Sequence, residues 1–82
     1  MGKWEKLIQE ILLRNQDLRF EDLTKALIKM DYSQHQPSGG SSHYTFRKEG
    51  CMLITLPKHN PMNKAYINLV REAVLKYLSE ED

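Results

Sequence analysis

The apolar residues of this chain repeat with one period at its two ends and another in its middle. Trp4, Leu7, Ile8, Ile11 and Leu12 fall at i, i+3, i+4, i+7 and i+8, which is one face of an amphipathic helix over roughly 3–14. Asn15-Gln16-Asp17 closes it. Phe20, Leu23, Ala26, Leu27 and Met30 predict a second helix over 20–30, with Glu21 and Asp22 in its first turn, where acids favour the helix dipole. Ile67, Val70, Ala73, Val74, Tyr77 and Leu78 predict a last helix over 64–79, with Asn63 as its cap.

Between the helical ends the period drops to two. Tyr32–Gln36 reads as a short strand, and Pro37-Ser38-Gly39-Gly40 as a turn cluster. His43–Lys48 reads as a second strand, with Tyr44 and Phe46 on one face and His43, Thr45 and Arg47 on the other. Glu49-Gly50 is a two-residue hairpin connection. Cys51–Leu56 is a third strand, apolar on both faces, and Pro57 ends it because proline removes a ladder donor. Residues 57–63 form a loop. The predicted order is α-α-β-β-β-α, an α+β fold with a three-stranded antiparallel meander and helices on one face. Tyr44 and Phe46 then face the helices, while His43, Thr45 and Arg47 face solvent.

A chain of 82 residues is expected to form one domain, 1–82, with a small core and no room for a large enclosed pocket. The single cysteine, Cys51, permits no internal disulfide, so nothing indicates an oxidising compartment. The first thirteen residues are too charged for a secretory signal and no apolar run reaches membrane-spanning length, so a cytoplasmic protein is expected, with no membrane contact. The net charge of +1 hides an uneven distribution. Residues 1–31 balance six cations with six acids. Residues 32–64 hold Arg47, Lys48, Lys58 and Lys64 against Glu49 alone, a local +3, together with all three histidines. Residues 65–82 are locally −2. A basic centre between neutral and acidic flanks points to a phosphate-bearing partner.

Within that centre the run Gly39-Gly40-Ser41-Ser42-His43-Tyr44-Thr45-Phe46-Arg47-Lys48 concentrates the chemistry. A histidine exchanges a proton near neutral pH, so His43 is the candidate general base. Gly39 and Gly40 let backbone approach closely, and Ser41 and Ser42 offer hydroxyl and backbone donors for phosphate oxygens. Arg47, further along the same strand face, and Lys48 supply positive charge for a developing phosphorane. His35 and His59 are the other imidazoles that can pair with His43 as acid and base. Lys58-His59 sits in a basic loop. Lys64 opens the last helix, where free backbone N–H groups assist phosphate binding.

Other chemistries fit poorly. No His-x-x-x-His, Cys-x-x-Cys or carboxylate cluster accompanies His43, so no metal or other cofactor is expected. Ser42 and His43 are adjacent on a strand and point to opposite faces, which argues against a hydrolase triad. Cys51 reads as a small packed residue rather than a nucleophile.

The run GGSSHYTFRK, followed by ITLPKHNP and then a helix bearing Tyr66 and Val70, resembles the HicA family of toxins from bacterial type II toxin–antitoxin systems. The upstream LRFEDLTKALIKMDY is similar to that family's first core helix and its lead into the first strand. The resemblance covers roughly residues 18–77, leaving residues 1–16 as an additional N-terminal helix beside a core of 18–79. It implies a fold like the double-stranded-RNA-binding domain and an activity as an mRNA interferase, a small endoribonuclease that cleaves mRNA and blocks translation and growth. It places the catalytic histidine on His43 and the family's glycine-serine pair on Gly40 and Ser41. It implies a HicB-like antitoxin partner that masks His43, with the toxin monomeric when free and hetero-oligomeric when bound. A non-catalytic RNA-binding module and a partner-binding protein of the same fold are the alternative readings.

Overall fold

The computed structural model describes residues 2–36, 43–59 and 62–80. The order of elements is α1 (Lys3–Leu12), α2 (Phe20–Lys29), β1 (Ser33–His35), β2 (His43–Arg47), β3 (Ile54–Pro57) and α3 (Lys64–Ser79), the order expected from the periodicities. The three strands form one antiparallel sheet in the order β1-β2-β3, so β2 is central and both β1 and β3 are edges.

The first two helices end in the same way. Asn15 N–H donates to Glu10 C=O and Arg14 N–H to Ile11 C=O, both at 3.0 Å. Tyr32 N–H donates to Leu27 C=O and Asp31 N–H to Ile28 C=O, again at 3.0 Å. Each pair is the 6→1 and 5→2 pattern of a Schellman motif, which satisfies carbonyls that a helix end would otherwise leave open. The motif needs one left-handed residue. Arg14 (φ +55°) and Asp31 (φ +73°) take that role, where glycine is the usual occupant. The second motif also sends Tyr32 into the core beside Leu27. At the other end of α2, Asp22 accepts from the Arg19 backbone N–H at 3.0 Å. Asn63 caps α3 through its side chain, accepting from Ala65 N–H at 2.8 Å as expected.

One cluster fills the space between sheet and helices. Phe46, Leu56, Leu23, Leu27, Met30, Ile67, Val70 and Val74 are fully buried in it. Phe20 of α2 packs on Tyr44 and Phe46 with ring centroids 5.1 and 6.5 Å away, so the aromatic face of β2 meets the helices as predicted. The N-terminal helix is continuous with this core: Ile8 and Ile11 lie in the same cluster, and Arg71 of α3 donates to Leu12 C=O at 3.0 Å. Along α3 the buried stripe is Ile67, Val70 and Val74, with Ala73 and Tyr77 half-buried, whereas Leu78, expected inside, is exposed.

The strands differ from expectation at their ends. β1 is three residues, shorter than Tyr32–Gln36, because Tyr32 belongs to the helix-end motif. β3 begins at Ile54 rather than Cys51. Glu49 and Gly50 do make a turn, closed by Cys51 N–H to Lys48 C=O at 3.0 Å with Gly50 at φ +79°, but the ladder closes only at Phe46 opposite Ile54. Cys51, Met52 and Leu53 therefore belong to a longer connection. Pro57 is the last residue of β3 and not the first beyond it, which an edge strand tolerates.

Candidate functional site

Register decides which side chains share the sheet face away from the helices. Directly opposed residues of an antiparallel pair point the same way, and alternate residues along a strand do too. Thr45 lies opposite His35 on one side and Thr55 on the other. His43 lies opposite Pro57, and Arg47 opposite Ser33. The open face is thus a row His43–Thr45–Arg47 on β2, flanked by Ser33 and His35 on β1 and by Thr55 and Pro57 on β3. His35, His43 and Arg47 are exposed, and Thr45 and Thr55 are half-buried as a hydroxyl-bearing floor between them. None of the three strands carries an acidic residue.

His43, at the start of the central strand, is where the sequence places it: exposed and on the open face. Arg47 shares that face but stands four residues on, about 13 Å from His43 at a strand rise near 3.3 Å per residue. That spacing suits a different phosphate of a nucleic-acid backbone from the one beside His43.

Lys48 goes elsewhere. Its ammonium sits over the rings of Tyr32 (5.8 Å) and Tyr77 (5.1 Å), on the helix side of the sheet. Lys48 follows Phe46 at even spacing, so the alternation that turns Arg47 outward turns Lys48 inward. The same corner holds Cys51 and the Tyr32 phenol, whose pKa is pushed up to about 12 by burial, then by its hydrogen bond to Cys51 and the nearby negative charges of Cys51 and Glu80. Lys76 donates to Gly50 C=O at 3.1 Å and ties α3 to the turn.

Lys58 and His59 are exposed beyond β3. His59 N–H donates to Pro57 C=O at 2.8 Å, a three-residue turn centred on Lys58 that takes His59 off the line of the strand. Lys64 begins α3 but faces the end of α1, where it lines a cleft of about 340 Å³ with Leu13, Arg14, Gln16 and Asn68. Gly40, Ser41 and Ser42 lie outside the described residues.

The strand register adds Ser33 and Thr55 to the face and gives His35 a fixed place on it. Pairing between strands carries that information, and local sequence spacing does not. Among the described residues no group of three or more His, Cys, Asp or Glu side chains is placed to hold a metal ion, and no helix is long and apolar enough to cross a membrane. Compared with protein-family models, curated proteins and solved structures, the chain matches none of them.

Proposed function

We propose that the open sheet face binds single-stranded RNA and that His43 begins cleavage of its backbone, making the protein a metal-independent endoribonuclease of the HicA toxin type that acts on mRNA in the cytoplasm. The observation that carries this reading is His43 itself: an exposed imidazole at the end of the central strand, on a sheet whose strands carry no acidic residue, and in line with Arg47. In this reading His43 takes the proton of a ribose 2′-OH, and the oxygen attacks the adjacent phosphorus. The products are a 2′,3′-cyclic phosphate and a 5′-OH end, so DNA is not a substrate. Arg47 holds a neighbouring phosphate, and Lys58 and His59 extend the basic track beyond β3.

A protein partner of antitoxin type covers His43 and keeps the enzyme silent until released. The apolar surface of the β2–β3 connection supports a partner-bearing role: Met52 is 82% and Leu53 56% exposed, beside Leu69 of α3 at 44%.

The test is a gel assay of purified, partner-free protein on a long mRNA with EDTA present, run beside His43→Ala. Cleavage by the parent and a loss of about 10²–10⁴-fold in the folded variant support the reading. RNA bound but left intact by both proteins moves it to a non-catalytic RNA-binding module. No RNA binding at all leaves the partner-binding role.

A further inference from the structure

Cleavage by 2′-OH attack needs two proton transfers. One removes the proton from the nucleophile. The other supplies a proton to the 5′-oxygen as its bond to phosphorus breaks, because an alkoxide is a poor leaving group. A single neutral imidazole performs only the first. The strand register places one candidate for the second on the same face as His43.

His35 stands opposite Thr45, one face position along from His43 and one strand across. It is therefore a diagonal cross-strand neighbour of His43 on the same exposed face, a relation that separates Cα atoms by about 7–8 Å. Arg47 is about 13 Å away along the strand. Lys48 is on the other side of the sheet over Tyr32 and Tyr77, and Lys64 faces the end of α1. His59 is turned off the strand line at Lys58. Among the described residues, His35 is the second imidazole that the register assigns to the face of His43.

We infer that His35 is the general acid of the cleavage reaction, paired with His43 as general base across the β1–β2 ladder. This rests on the ribonuclease reading above. In the step, His43 accepts the 2′-OH proton and the 2′-oxygen forms a bond to phosphorus. The P–O5′ bond breaks and its electron pair goes to O5′, which takes a proton from the His35 imidazolium. His43 ends as imidazolium and His35 as neutral imidazole, and exchange with water restores both. The balance requires no metal, oxidant or further reactant. The cationic form of His35 also places positive charge beside the phosphorane, where Arg47 is too distant to act at close range.

A leaving-group substitution separates a general acid from a residue that only binds or supports. The cleavage position is first mapped with the parent protein. Two oligonucleotides spanning it are then compared under single-turnover conditions, one with the natural 5′-oxygen and one with sulfur bridging at that position. A thiolate leaves without protonation. His35→Ala and His35→Gln are expected to cut the natural oligonucleotide about 10²-fold or more slowly than the parent, and to cut the sulfur-bridged one within a few-fold of the parent rate. His43→Ala is expected to lose both. Far-UV circular dichroism and amide NMR spectra establish that each variant is folded, and the exposure of His35 on an edge strand favours this.

Unchanged cleavage of the natural substrate by folded His35 variants overturns the inference and leaves the ribonuclease reading standing. Equal losses on both substrates also overturn it, and give His35 a binding role. Failure of the parent to cut any RNA removes the ribonuclease reading, and the pairing with it.

Discussion

Arg47 and Lys48 are consecutive cations in two different regions of the molecule. Arg47 ends β2 on the open face, opposite Ser33 and in line with His43. Lys48 is the first residue past the strand, and its ammonium rests over Tyr32 and Tyr77 in the corner between sheet and α3. The open face turns its charge outward, with hydroxyl floors at Thr45 and Thr55 and no acidic residue on its three strands. The corner uses its charge internally: Lys48 on aromatic rings, Lys76 on the Gly50 carbonyl, and the Tyr32 phenol on Cys51. One region presents groups and the other spends the same kinds of group on holding a turn to a helix. Basic composition alone does not distinguish them, whereas strand parity does.

The comparison breaks most readily in the shared wall beneath both regions. Phe46 is fully buried between α2 and the sheet, and Phe46→Ala is expected to destabilise the protein by about 3–5 kcal/mol, read as a lower urea midpoint. A smaller loss would mean that the helix face is less tightly packed than its burial implies.

The two cations then sharpen the contrast. Arg47→Ala is expected to weaken RNA binding and to reduce the slope of log affinity against log salt by about 1. Lys48→Ala is expected to leave that slope in place and to cost about 1 kcal/mol of stability through its lost ring contacts. Fluorescence titrations at several salt concentrations, beside denaturant melts, separate the two. Equal salt slopes for both variants would put Lys48 on the nucleic-acid track after all.

The smallest expected effect lies outside both regions. Arg14 holds a left-handed conformation at the end of α1, and Arg14→Gly is expected to stabilise the protein by about 1 kcal/mol in thermal or urea melts. A destabilised variant would mean that the Arg14 side chain contributes more than its backbone strain costs.

Much of the fold was legible in the sequence because two periodicities alternate along it. The stripes of Leu23, Leu27 and Met30 and of Ile67, Val70 and Val74 name their buried faces directly, and Tyr44 and Phe46 name the inner face of β2. Cys51–Leu53 misled because an apolar run reads as a buried strand, whereas the Gly50 turn leaves Met52 and Leu53 outside the ladder and exposed. Lys64 begins α3 as its sequence position implies, and the cleft it lines with Leu13 and Arg14 of the α1 end comes from the packing of α3 on α1, which local spacing does not carry. Of the candidate site, His43 and Arg47 were legible from alternation within one strand. The place of His35 was not, because it depends on pairing with a residue ten positions away.

The way α2 ends has a consequence for how this chain tolerates insertions and deletions. Tyr32 is locked to Leu27 by a backbone hydrogen bond and buried on the helix side, and His35 follows three residues later, an odd count that brings it to the opposite face. The helix terminus thus acts as a ruler for the first strand. One residue gained or lost between Tyr32 and His35 would exchange the places of Gln34 and His35 without disturbing the core, whereas a change of length in the connection around Met52 leaves the parity of β1 and β2 untouched. In a fold this small, the spacing from a helix end to a single imidazole is as much a part of the site as the imidazole.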